Sequence, residues 1–329
     1  MEQRPFSRDV LRLDPAQEVE KICGRLRDLL AHQLKRRGLV VGLSGGIDSS
    51  VTAALSVRAL GPKRVFGLHM PERHSAEETL MLSGSVATHL GIDSVHEDIT
   101  GMLEAAGCYR RYQDAVRRVL PEYGDGWRSK IVISSAMENR GFALFYIVAQ
   151  GPDGVEHKLR LPADAYLEIV AATNFKQRTR KMLEYYHADR LHFAVTGTPN
   201  RLEYDQGFFV KLGDGAADVK PIAHLYKSQV YQLAEHLGLP EDIRSRPPTT
   251  DTYSLPQGQD EFYFSLPYGL MDLCLYGKNH GVAATEVAAA AGLTGTQVEH
   301  VYADIDVKRS TTRYLHLPPL LIEKVGEIE

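Results

Sequence analysis

Apolar residues along the chain fall into two kinds of pattern, short unbroken runs and longer stretches at helical spacing, and the two alternate. Residues 16–37 set Val19, Ile22, Cys23, Leu26, Leu29 and Leu30 three or four apart, predicting an amphipathic helix. Leu39–Leu43 is apolar throughout, as a strand covered on both faces is. Helical spacing resumes from Ser49 to Leu60, where Gly61-Pro62 ends it. Arg64–Met70 predicts a second buried strand, and Ser75-Ala76-Glu77-Glu78 reads as a capping box opening a helix that stops at Gly91. Residues 93–99 predict a third strand. Strand, helix, strand, helix, strand with short joins predicts an α/β fold with a doubly wound parallel sheet.

The middle of the chain reads differently. Residues 129–135 and 141–161 are β-rich around the turn Gly151-Pro152-Asp153-Gly154, predicting an inserted β-hairpin region. Helical spacing returns over Tyr166–His187 through Leu167, Val170, Ala171, Met182 and Leu183. Residues 191–197 then predict a further buried strand, and 226–240 a helix closed by Gly238 and Pro240. From Glu261 onward short helices are expected. Together these form one domain over residues 1–329, with 108–162 as an insertion and 261–329 as its helical C-terminal part.

Composition narrows the function classes. Of 329 residues, 43% are hydrophobic and 24% charged, which is ordinary for a soluble globular protein. A formal net charge of −4 gives no global field for a polyanion, so any phosphate site must be local. Cys23, Cys108 and Cys274 lie far apart with no CxxC spacing, which argues against a disulfide framework, a zinc ribbon or a dithiol site. The first residues lack the apolar core of a signal peptide, and no run is long enough to span a membrane. The expected setting is a reducing cytoplasm, with no membrane partner.

At the first strand-to-helix join stands Ser44-Gly45-Gly46-Ile47-Asp48-Ser49. A glycine-rich turn there exposes backbone N–H groups, and the helix N-terminus adds partial positive charge, which makes an anion site. Ser44, Ser49 and Ser50 add hydroxyl donors. Asp48 makes sense beside an anion only if a cation lies between them, and Mg²⁺ shared by carboxylates and phosphates fits. The stretch is neither GxxxxGK[ST] nor GxGxxG; the plainer alternative, a turn with capping serines, leaves Asp48 unexplained.

The hexapeptide resembles the SGGxDS signature of the PP-loop ATP pyrophosphatases, which implies ATP as co-substrate and an adenylated intermediate. A second block, residues 195–238, is similar to the ammonia-dependent NAD synthases. It carries Gly197-Thr198, Glu203, Gly207-Phe208-Phe209, Lys211, Gly213-Asp214-Gly215, Asp218, Pro221 and Lys227, and "RPPTTD" and Asn174-x-Lys176-x-Arg178 match further segments. The resemblance implies ATP contacts from Gly42, Leu43, Ser44, Gly45, Gly46, Ile47, Asp48, Ser49, Thr198, Lys227 and Thr249. It implies Mg²⁺ on Asp48 and Glu203, and a dinucleotide substrate, deamido-NAD, on Arg178, Lys211, Asp218 and Lys308. Asp48, Lys227 and Asp218 are the expected catalytic residues, with Asp218 the candidate to take a proton from ammonium. Ammonia is the expected nitrogen donor, free or supplied by a separate partner, and the implied assembly is a homodimer with the substrate site at the interface.

Three segments depart from the family pattern: the longer 108–162 region, Val307 before Lys308-Arg309 where a histidine is usual, and "MPERHSAEETL". They leave open a relative that amidates a different carboxylate by the same adenylation. An adenylating tRNA thiolase finds no cysteine for a persulfide. A non-catalytic ATP-binding module would leave Glu203, Lys227 and Arg178 without purpose. Residues 284–305 superficially resemble a helix-turn-helix, but Glu299, Asp304 and Asp306 are wrong for a DNA groove, so a structural helical pair is expected and no nucleic acid partner.

Overall fold

The computed structural model describes residues 5–133, 144–247, 252–258, 263, 264 and 266–327. In chain order its elements begin with α1 (Pro15–Asp28), β1 (Leu39–Gly42), α2 (Ile47–Leu60), β2 (Val65–His69), α3 (Glu77–Leu90) and β3 (Asp93–His96). There follow α4 (Thr100–Ala105), α5 (Cys108–Arg117), β4 (Arg128–Ile133), β5 (Phe145–Gln150), β6 (Glu156–Arg160), α6 (Ala163–Leu191) and β7 (Ala194–Thr196). The last are α7 (Arg201–Gln206), α8 (Lys227–His236), α9 (Glu241–Arg244), α10 (Tyr268–Asn279), α11 (Ala284–Ala291) and α12 (Gly295–His316).

The main sheet has the order β3-β2-β1-β7, all parallel, with Leu39 opposite both Val65 and Ala194. Leu39, Val40 and Val41 are fully buried because β1 is central and helices cover both faces. The period-two alternation of a strand decides which helices each residue meets. Leu39 packs with residues of α1, α2 and α8, and Val41 with α2 and α3. Val40 faces the other way, onto Leu103 of α4 and Leu183 and Ala188 of α6. β1 leads to β2 on one side and has β7 on the other, so the loop after β1 opens where the strand order reverses, the usual place for a ligand in such sheets.

The inserted region is larger than a hairpin. β4, β5 and β6 form an antiparallel sheet in that order. Ile131, Ile147 and Ala149 pack on Ala115 and Val116 of α5 and on Ala165 and Ile169 of α6. Thus α6 serves two cores, the small sheet with its first half and the main sheet with its second. This is why it extends beyond the 166–187 stretch in which its spacing is evident.

Two other expectations change. The Ser75 hydroxyl accepts the Glu72 N–H at 3.0 Å, and α3 begins after Ala76 with no side-chain cap, so the capping box does not form. The C-terminal part is not limited to short helices, since α12 runs for 22 residues. It buries Val298, Val301 and Ile305 against α10 and α11, so the 284–305 pair carries part of the core. Cys23, Cys108 and Cys274 are buried free thiols, and among the described residues no helix is long and apolar enough to cross a membrane.

Candidate active site

The C-terminal end of β1 turns through Gly45, whose φ of +69° suits glycine. A Cβ there would also lie 2.9 Å from the Thr79 carbonyl oxygen and 3.0 Å from Leu82 Cβ, so α3 leaves no room for a side chain. The serines hold the loop in shape. Ser44 N–H donates to Ser49 Oγ at 3.3 Å, the two hydroxyls lie 3.1 Å apart, and the Ser49 and Ser50 hydroxyls donate to the Gly46 carbonyl at 3.0 and 2.8 Å. Gly46 takes the N-cap position of α2 without a side-chain acceptor, so the first N–H groups of that helix stay available to an outside anion.

Three further elements bring side chains to this loop. From α8 comes Lys227, 1% exposed, whose ammonium donates to Asp48 Oδ2. From the start of α7, Asn200 donates to Asp48 Oδ1 at 3.3 Å, accepts the N–H groups of Leu202 and Glu203, and has its own N–H accepted by Glu203 Oε2 at 3.1 Å. This capping box points Glu203 back toward Asp48 and Lys227. From α10, buried Asp272 accepts the Lys227 N–H at 3.2 Å and the Ser228 N–H at 2.7 Å, anchoring the first turn of α8.

The electrostatics follow from this crowding. Burial, and then the negative charge of Asp48, push Glu203 up to about 8, although Lys227 pulls the other way. Burial works against the Lys227 ammonium, but Asp48 and Glu203 together hold its pKa above the usual lysine value. Near neutral pH the Glu203 carboxyl therefore keeps its proton and the trio is close to neutral; a divalent cation would displace that proton and leave both carboxylates as ligands. Among the described residues no three His, Cys, Asp or Glu side chains form a metal cage. Asp48 and Glu203 match instead the sparse carboxylate set that suits Mg²⁺ when phosphates complete its shell.

A cavity of about 750 Å³ opens above the loop. Gly42, Leu43, Ser44, Gly46, Ile47, Asp48 and Ser49 line it, as do Thr198, Glu203, Lys227 and Lys308. Gly45 is not in the lining and lies against α3 instead. Lys308 reaches the wall paired with Asp304 at 2.6 Å and donating to the Tyr263 carbonyl at 2.6 Å. Besides Gly45, three expected residues do not line this cavity. Asp218 accepts the Val195 N–H at 2.7 Å and the Tyr185 hydroxyl at 3.3 Å, which ties it to β7 and α6. Arg178 is exposed and donates to the Lys211 carbonyl at 3.3 Å, while the Lys211 ammonium donates to the carbonyls of Tyr314 and Leu317. Thr249 lies outside the described residues.

No role for Asn200 or Asp272 is expected from the sequence, and Asp214 enters only as part of Gly213-Asp214-Gly215. The spacing Asn200-x-x-Glu203 is a capping-box signal readable in the sequence. A lone aspartate in the apolar run "YGLMDLCLYG" also marks Asp272 as a buried carboxylate in need of donors. Asp214 lines the cavity and accepts the Val210 N–H at 2.7 Å, and burial raises its pKa.

A parallel strand, a glycine-turned anion loop and a helix, faced by a buried lysine from a second helix, define an ATP-pyrophosphatase site of the PP-loop class. The sequence also matches a family model described as NAD synthase over residues 18–121 and 155–313, and the chain belongs to that family. The stretch left between the matched segments holds β4 and β5. An NH(3)-dependent NAD(+) synthetase of Rhizobium meliloti is 62% identical over 98% of this chain and 97% of its own length. Another, from Mesorhizobium japonicum, is 59% identical over 97% of this chain and 100% of its own. Among solved structures, the NH3-dependent NAD synthetase of Campylobacter jejuni superposes with a TM-score of 0.62 at 21% identity, over 94% of this chain and 100% of that one. The NMN synthetase of Francisella tularensis gives 0.63 at 20% identity, over 94% and 99%. At such identity these two share the fold.

Proposed function

We propose that the chain is an ammonia-dependent NAD synthase, which joins the nicotinate carboxylate of deamido-NAD to ammonia with conversion of ATP to AMP and pyrophosphate. The observation that carries this reading is the buried Lys227–Asp48 pair, with Glu203 facing it, at the floor of a cavity lined by the SGGxDS loop.

The chemistry divides between the two ends of that cavity. The N–H groups at the start of α2 and the Ser44 hydroxyl would hold the phosphates of ATP, with Thr198 beside them, while the Ser49 hydroxyl keeps the loop in shape through the Gly46 carbonyl. One carboxylate oxygen of the substrate attacks the α-phosphorus, and pyrophosphate leaves with its new charge beside the Lys227 ammonium, a preorganised cation in a water-poor site. Mg²⁺, held by Asp48 and Glu203, would supply further charge neutralisation on the phosphates. Ammonia then adds to the acyl carbon of the adenylate and AMP departs with the original carboxylate oxygen. Asp214, rather than Asp218, faces the chamber as a carboxylate able to take the proton that nitrogen loses.

We assign Arg178 and Lys211 to a homodimer interface. Arg178, Met182 and Tyr186 stand four apart on α6 and share one outward stripe, with Met182 57% and Tyr186 59% exposed. That face suits a second copy, whose substrate Arg178 and Lys211 would then reach. A reducing cytoplasm fits the three free thiols. In the deciding experiment, purified protein with ATP, Mg²⁺ and deamido-NAD forms NAD when ammonium is added and none with glutamine. Nicotinate and shorter nicotinate nucleotides serve as competing acceptors, and preferential amidation of one of them would move the assignment to that carboxylate.

A further inference from the structure

The wall of the main cavity is not built by the nucleotide-binding unit alone. Ile133, at the end of β4, and Phe145, at the start of β5, line it together with Tyr166 and Val170 of α6. The family model leaves the stretch that holds β4 and β5 unmatched, so Phe145 belongs to a part of this chain that the family pattern does not cover. The rings of Phe145 and Tyr166 are stacked, with centroids 3.8 Å apart and planes inclined by 17°. On the basis of the NAD synthase reading above, we propose that the inserted sheet adds an aromatic platform, Phe145 stacked on Tyr166, which takes the adenine ring of the dinucleotide at the end of the chamber away from the ATP loop.

The pair is held in place by its backbone. The Phe145 carbonyl accepts the Leu161 N–H at 2.9 Å where β6 leads into α6, and the Pro162 carbonyl accepts the Tyr166 N–H at 3.0 Å in the first turn of that helix. Sheet and helix therefore fix the two rings relative to each other before a ligand arrives. On one side both rings rest on the core of the inserted sheet, which includes Ile131, Ile147 and Ile169; on the other they line the cavity, and each is only partly buried. A half-covered aromatic stack offers its π-system to a further flat ring. Burial raises the pKa of Tyr166, and burial followed by the neighbouring Tyr166 hydroxyl raises that of Tyr253 on the same wall, so both phenols stay neutral and suit a base better than a phosphate. Distance decides which base. Glu184 stands at the ATP-loop end, since a Cβ on Gly42 would lie 2.9 Å from its Oε1. Tyr166 precedes Glu184 on α6 by about 27 Å along the axis. ATP anchored by its phosphates at α2 keeps its adenosine near the loop, where Ser83 and Arg246 line the cavity. The dinucleotide, with its carboxylate at the α-phosphorus, carries its adenine away from the loop, beyond its own pyrophosphate and both riboses.

Phe145→Leu keeps apolar bulk over the inserted core and removes the aromatic face. In steady-state assays of the full protein at saturating ATP and ammonium, KM for deamido-NAD is expected to rise about fivefold, the lower end of what stacking on an aromatic side chain contributes to base binding. The kcat and the KM for ATP should not move, a split that a merely structural loss would not give. Phe145→Trp should restore the wild-type KM. ADP-ribose, which keeps the adenine and lacks the nicotinate, should compete with deamido-NAD and weaken by the same factor in Phe145→Leu. An unchanged KM for deamido-NAD in the folded variant would overturn the proposal. So would a raised KM with ADP-ribose inhibition unaltered, which would put the nicotinate ring on the platform. If Phe145→Leu does not fold, Tyr166→Leu decides by the same readouts. Wild-type protein forming no NAD from deamido-NAD would defeat the parent reading; a normal wild type with an indifferent variant would defeat the platform alone.

Discussion

Replacing Lys227 with methionine keeps the length of the side chain and removes its charge. The backbone N–H that Asp272 accepts is untouched, so the first turn of α8 stays anchored. A unit charge about 4 Å from a departing phosphate oxygen contributes about 4 kcal/mol at an effective dielectric constant near 20. That corresponds to a rate loss of about a thousandfold, since each decade takes about 1.4 kcal/mol. Loss of a single preorganised donor to a developing oxyanion costs a similar amount, about a hundred- to a thousandfold in kcat. The assay is deamido-NAD-dependent exchange of labelled pyrophosphate into ATP, which isolates the first step from ammonia. Stability is measured in parallel, because Asp48 and Glu203 then face each other without their cation. A folded Lys227→Met variant that loses less than about tenfold in exchange would refute the role given to this ammonium.

Further outcomes follow from other contacts. Gly45→Ala forces an alanine to φ +69° against the Thr79 carbonyl; a destabilisation of about 1–3 kcal/mol in urea unfolding, with weakened ATP binding, is expected. Lys176→Met leaves Glu72 buried without its partner and should cost about 3–5 kcal/mol, while Lys176→Met with Glu72→Gln should recover most of it; equal losses in the two proteins would contradict the pairing. Burial pushes the Asp272 carboxyl up to about 6, so the folded state holds this proton more tightly than the unfolded chain. The stability linked to this group is therefore present below pH 4 and lost as pH rises toward 6, by up to about 3 kcal/mol. Asp272→Asn should remove that slope from the stability–pH curve.

The sequence makes the central unit legible because each part has a local signal. An all-apolar run predicts a doubly covered strand, paired glycines predict the turn, and helical spacing resumes at once after Asp48. The meeting of Asp48 with Glu203 and Lys227 follows from no local signal, since well over a hundred residues separate it from both; only the family resemblance links them in advance. Where local signals compete, expectation and structure part. Ser75 has the spacing of a cap, but its hydroxyl serves the Glu72 amide in the preceding turn instead. The final helix looks broken because Val298, Val301 and Ile305 are buried while its last turns are exposed, which dilutes the periodicity. For Arg178, Lys211 and Asp218, spacing gives no direction. Arg178 lies two residues from buried Lys176 on the same helix yet faces solvent. Such facing is set by tertiary packing.

The most direct test of adenylation as the route to the amide follows the oxygen atoms of the substrate. Deamido-NAD labelled with ¹⁸O in both carboxylate oxygens is turned over with ATP, Mg²⁺ and ammonium, and the products are separated for mass spectrometry. If the carboxylate attacks the α-phosphorus and ammonia displaces AMP at carbon, one label stays in the NAD amide and the other appears in AMP. Label in pyrophosphate or inorganic phosphate, with none in AMP, would contradict attack at that phosphorus and with it the function given to the Asp48–Lys227 site.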